Sequence, residues 1–127
     1  MESRPLLDRV HVLVVAADPN MRDAVEIILQ EAGASVTRAA SWASAVDWLS
    51  RVAVDVVLVF DWGLEMDAAA IAQALRALPV DRGGDTALVL LTYDGVPMSR
   101  AERIWAVQPT ALDAMLETLR LAAGGAG

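Results

Sequence analysis

No cysteine occurs in this chain, so disulfides, thiolate metal ligands and cysteine nucleophiles are all excluded. Lysine is missing too: all ten basic residues are arginine. Phosphate-cradling loops and Schiff-base chemistry therefore lack their usual residue. The single histidine, His11, sits at the start of an apolar run, a poor place for the base of a Ser-His-Asp triad. Only one Phe and one Tyr accompany a hydrophobic content of 56%, so the core has to be built from Ala, Val and Leu. No apolar run approaches the ~20 residues that span a bilayer. The opening MESRPLLDRVH is too polar for a signal peptide. Net charge is −7 and the arginines are scattered, which leaves no basic face for neutralising nucleic-acid phosphates. Expected, then, is one cytoplasmic domain that binds neither nucleic acid nor membrane, since 127 residues suit a single core.

What is present alternates. Five short apolar runs, at 10–15, 34–38, 56–60, 87–91 and 104–107, read as strands, the second being weak. The near-continuous apolarity of the others predicts burial on both faces of a parallel sheet. Amphipathic segments separate them. Asp18-Pro19 supplies an N-cap and a first-turn proline for a helix carrying Met21, Ala24, Val25, Ile28, Leu29 and Ala32, closed by Gly33. Ser41 caps a second helix whose apolar face is Trp42, Ala45, Val46 and Leu49. Asp67 caps a third with Ile71, Ala74, Leu75 and Leu78 inward, and residues 79–85 form a polar loop that stops it. Thr110-Ala-Leu-Asp113 has capping-box character ahead of a last helix bearing Leu112, Met115, Leu116 and Leu119. Residues 1–122 thus read as one domain and 123–127 as a Gly/Ala tail of linker composition.

Five strands with crossover helices define an α/β, doubly wound, five-stranded parallel sheet of the flavodoxin-like kind. In such sheets the functional site lies beyond the carboxyl ends of the strands. Those ends carry Ala16-Ala17-Asp18, Asp61-Trp62, Thr92-Tyr93 and Gln108-Pro109.

Four segments at these ends carry a resemblance. Val14-Val15-Ala16-Ala17-Asp18-Pro19-Asn20-Met21-Arg22 resembles the V-V-D-D-D-P-x-x-R opening of a response-regulator receiver (CheY-like) domain. Asp61-Trp62-Gly63-Leu64-Glu65-Met66-Asp67-Ala68 is similar to that family's D-W-x-L-P-x-M-D-G segment with the Pro missing. Leu88 to Thr92 resembles its fourth strand with the terminal Thr, and Trp105-Ala106-Val107-Gln108-Pro109 its Y-x-x-K-P. The resemblance implies two-component (phosphorelay) signalling. In the family an Asp carboxylate after the third strand attacks a phosphoryl group, an acidic pair holds Mg²⁺, and a Lys and a Thr hold the phosphoryl oxygens.

This chain departs from that pattern in most places. The acidic pair reads Ala16 and Ala17, and the Lys position reads Gln108. Thr92 is kept, and Trp105 stands at the switch aromatic. A gap-free match puts Phe60 at the acceptor position, whereas deleting the loop Pro puts Asp61 there. A loop deletion is tolerated better than a bulky aromatic acceptor, which favours Asp61 and leaves Phe60 as the alternative. Either way the Mg²⁺ site is expected lost and no cofactor is expected.

The leading expectation is a pseudo-receiver, a degenerate variant that is not an enzyme and acts through protein–protein interaction. Its partners would be a histidine kinase, a fused effector domain or a second copy in a homodimer. One alternative is a degenerate but working receiver phosphorylated on Asp61. Another is a small-ligand-binding domain with Ala16, Ala17 and Thr92 lining a neutral pocket. Trp48 lies off the apolar face of the second helix and reads either as an exposed partner-binding anchor or as packed under the second-strand loop. Trp105 reads as a switch residue or, without a ligand to drive it, as a fixed core indole. The spacing from Thr92 to Gln108 leaves only residues 98–103 for a shortened fourth helix.

Overall fold

The computed structural model describes residues 6–61, 63–64, 66–92, 103–108 and 112–124. Strand β1 (His11–Val15) is followed by α1 (Pro19–Glu31), β2 (Ser35–Ala39), α2 (Trp42–Leu49), β3 (Val56–Phe60), α3 (Ala68–Arg76), β4 (Ala87–Leu91), β5 (Ile104–Val107) and α4 (Leu112–Gly124). All strand pairs are parallel, in the order β2-β1-β3-β4-β5. The chain therefore winds outward to β2 and then crosses back over β1 to β3, which makes the carboxyl ends of β1 and β3 the switch point of the sheet.

Side-chain alternation sorts the strands into two cores. Val12, Val14, Val56, Leu58, Phe60, Val89 and Leu91 face the layer of α1 and α4, meeting Val25, Leu29, Met115 and Leu119. Leu13, Val15, Val57, Val59, Leu88 and Leu90 face α2 and α3, meeting Ala45, Leu49, Ile71 and Leu75. Neither face of β3 or β4 reaches solvent, as their unbroken apolar sequences require.

Helix starts follow the sequence closely. Asp18, Ser41 and Asp67 each accept a backbone N–H of the first turn of α1, α2 and α3. Gly33 closes α1 at φ +98°, with the Gly33 amide donating to the Gln30 carbonyl and the Ala34 amide to that of Leu29. That closure occupies Ala34, so β2 begins one residue later than the apolar pattern predicts. Helix α4 runs to Gly124 and takes in Ala123 and Gly124, which composition assigns to the tail. A 3-10 turn at Val80–Arg82 interrupts the loop after α3. The shortened fourth helix expected at 98–103, the Thr110 cap and Trp62 lie outside the described residues, apart from Arg103, which forms a turn.

Candidate functional site

The alternation that builds the two cores also decides what the strand ends present. Phe60 ends β3 on the α1/α4 side and is buried at 3% exposure. Asp61, next in the chain, continues the series Val57 and Val59 toward the α2/α3 side. Thr92 likewise continues Leu88 and Leu90. Phe60 is in register with Leu91, so Asp61 and Thr92 emerge side by side. The Thr92 hydroxyl donates to the Asp61 carboxylate at 2.6 Å, within the range of a charge-assisted bond. Thr92 is 3% exposed, and its amide donates to the Val107 carbonyl.

After β1 come Ala16 and Ala17, the residues that the resemblance aligns with an acidic pair, and both carry only methyl groups. Ala16 is buried in the α1/α4 core at 1% exposure, while Ala17 is half-buried. Gly63 adopts φ +79°, and a Cβ built on it would lie 3.1 Å from that of Ala17. The β3–α3 loop is therefore folded directly against Ala17, a close approach that glycine permits. The half-buried Arg22 guanidinium donates to the carbonyls of Ala16 at 2.6 Å and Ala17 at 3.1 Å, a clamp the sequence does not announce. Asp18 is turned to the Asn20 amide as the cap of α1.

Of the described residues at these strand ends, Asp61 alone brings a carboxylate that is not committed to a helix cap. Mg²⁺ is usually held by one or two carboxylates with waters and phosphate completing its shell, and the single such carboxylate here already accepts the Thr92 hydroxyl. Among the described residues there is no group of three or more His, Cys, Asp or Glu that could hold a metal ion. Gln108 is exposed just after β5. Trp105 is half-buried against the α1/α4 core. Trp48 stands on α2 at 36% exposure, which separates it from the buried Ala45 and Leu49 of the same helix. His11 is at the opposite end of the strands, where its ring pairs with the Thr37 hydroxyl at 2.7 Å and its amide donates to Asp55. The Glu117–Arg120 pair, where the arginine holds the glutamate carboxyl below its usual range, lies exposed on α4.

Strand order, crossovers and a carboxylate–threonine pair at the strand ends together define a fold of the receiver (CheY-like) kind. Solved structures agree. A sensor protein from Polaromonas sp. JS666 is similar at 18% identity and a TM-score of 0.77, over 94% of this chain and 99% of that one. The receiver domain of a Francisella response regulator is similar at 14% identity and a TM-score of 0.75, over 94% of this chain and all of that one. The chemotaxis protein CheY4 of Vibrio cholerae shares 24% identity at a TM-score of 0.71, over 89% of this chain and 98% of that one. No protein-family model matches the sequence, and no curated protein matches it. At these identities the likeness is one of fold. No helix among the described residues is long and apolar enough to cross a membrane.

Proposed function

We propose that this domain is a pseudo-receiver: a cytoplasmic signalling module that engages protein partners without being phosphorylated. The observation that carries the reading is the state of the strand ends. Ala16 and Ala17 occupy the positions that the resemblance assigns to a metal-binding acidic pair, with Ala16 turned into the α1/α4 core and Ala17 lying against the Gly63 loop. A phosphoryl group entering beside Asp61 would meet a carboxylate with neither a metal nor a lysine to offset the charge, since the chain has no lysine. Thr92 already donates to Asp61. Trp48, exposed on α2, is the anchor we assign to a partner, whether a histidine kinase, an effector domain or a second copy.

The Asp61–Thr92 contact also supports a second reading, a working but slow receiver with Asp61 as acceptor, because it places a nucleophile and a hydroxyl donor together. Beryllofluoride with Mg²⁺, which mimics the acyl phosphate, separates the two. A pseudo-receiver gives unchanged amide spectra around Asp61 and Thr92 at millimolar Mg²⁺. A saturable shift confined to those residues means that the site still takes up phosphoryl groups.

A further inference from the structure

We propose that the cleft between the β2–α2 and β3–α3 connections binds a small, uncharged aromatic molecule. This goes beyond phosphorylation-independent signalling and does not rest on it. The cleft encloses about 500 Å³, inside the ~300–1,000 Å³ typical of small-molecule sites. It adjoins the β1/β3 switch point, where doubly wound sheets place their ligands. Trp42, Leu64 and Met66 form its apolar walls. The half-buried indole of Trp42 offers a ring for stacking, and the Met66 thioether is a soft partner for an aromatic edge.

Among the described lining residues Ser41 supplies the one hydroxyl. The Ser41 Oγ accepts the Ser44 amide at 3.1 Å as the cap of α2, and its hydroxyl proton stays available to a ligand acceptor. None of the described lining residues is charged. Asp61 and Asp67 flank the β3–α3 loop, and the chain carries a net charge of −7, so an anionic ligand is disfavoured. A flat two- or three-ring molecule with one acceptor oxygen fits.

Chromone, a neutral two-ring ketone, is the probe. Titrated into the labelled protein, it should give saturable amide shifts at Ser41, Ala43, Gly63 and Leu64. Ala43 is exposed on the rim of the cleft, so Ala43→Phe should fold normally and weaken chromone binding about tenfold or more at an unchanged melting temperature. If that variant fails to fold, Ala40→Leu fills the same rim from the β2 side. Chromone-2-carboxylate should bind more weakly than chromone. The proposal is overturned if shifts do not saturate, if they map elsewhere, if the filled cleft binds chromone as well as the parent, or if the carboxylate binds as tightly.

Discussion

Replacing Ala17 by Asp puts a carboxylate against a loop already in contact with the Ala17 methyl. Two costs follow. The loop at Gly63 passes close to the Ala17 methyl, which leaves a longer side chain at position 17 less room. The new charge also faces Asp61 from the neighbouring strand end. At about 5 Å and an effective dielectric near 20, two like charges repel by roughly 3 kcal/mol. Solvent on the open side and salt reduce this, so a destabilisation of about 2 kcal/mol is expected. In a domain of this size that lowers the melting temperature by roughly 6–10 °C. The same carboxylate pair supplies hard oxygen ligands, and only the folded state presents them together. Mg²⁺ at 100 times its dissociation constant should therefore return about 2.7 kcal/mol. The assay is a thermal melt of parent and Ala17→Asp in EDTA and in excess Mg²⁺, read by circular dichroism. The parent should be indifferent to the metal, and the variant should recover. Ala16→Asp is the control: its carboxylate would be buried in the α1/α4 core, so metal should not rescue it. An Ala17→Asp variant with one melting temperature in both buffers would refute the placement of Asp61 at the acceptor position and the site built on it.

Gly84→Ala should destabilise by at least the roughly 1–3 kcal/mol of an overpacked interior, because its Cβ would fall 1.9 Å from the Leu78 carbonyl oxygen; an unchanged urea midpoint would contradict that geometry. Trp48→Ala should hold stability within about 1 kcal/mol while weakening self-association or partner binding, as measured by sedimentation and calorimetry. A large loss of stability with unchanged association would make Trp48 a structural residue. Arg76→Lys should lower stability by about 1–3 kcal/mol, since one ammonium cannot reproduce the fork that reaches three carbonyls; a melting temperature equal to the parent's would show that the fork is dispensable.

Much of the fold was legible because its signals are local. Strands β3, β4 and β5 begin and end where their apolar runs do, and Asp18, Ser41 and Asp67 cap the helices they precede. The resemblance leaves Phe60 and Asp61 open as acceptor positions, but the side on which each emerges was legible in the chain. Strand side chains alternate, so Val56, Leu58 and Phe60 share one face and Val57, Val59 and Asp61 the other. Register with β4 then pairs Asp61 with Thr92, and register is a tertiary fact that one strand's sequence does not carry. The contact between Gly63 and Ala17 was hidden for the same reason: it joins two loops more than forty positions apart. The 3-10 turn at Val80–Arg82 has a weak sequence signature because a single turn needs no apolar periodicity.

The arginines show a further limit of reading by residue type. The absence of lysine points first to lost phosphoryl chemistry, but the arginines that replace it have structural work of their own. Arg22 ties the carbonyls that end β1, and Arg76 ties those of Gly84, Thr86 and Arg103. Arg103, in a left-handed turn at φ +58°, reaches the carbonyls of Asp85 and Ala122. Each joins a loop or strand end to another element, and each accepting group is a backbone carbonyl with no sequence signature. A guanidinium suits this because its donors are fixed in a plane and can span two or three acceptors at once. Arg22 acts at the carboxyl end of β1, on the side of the Asp61–Thr92 pair, whereas Arg76 and Arg103 act at the amino ends of β4 and β5, at the opposite edge of the sheet.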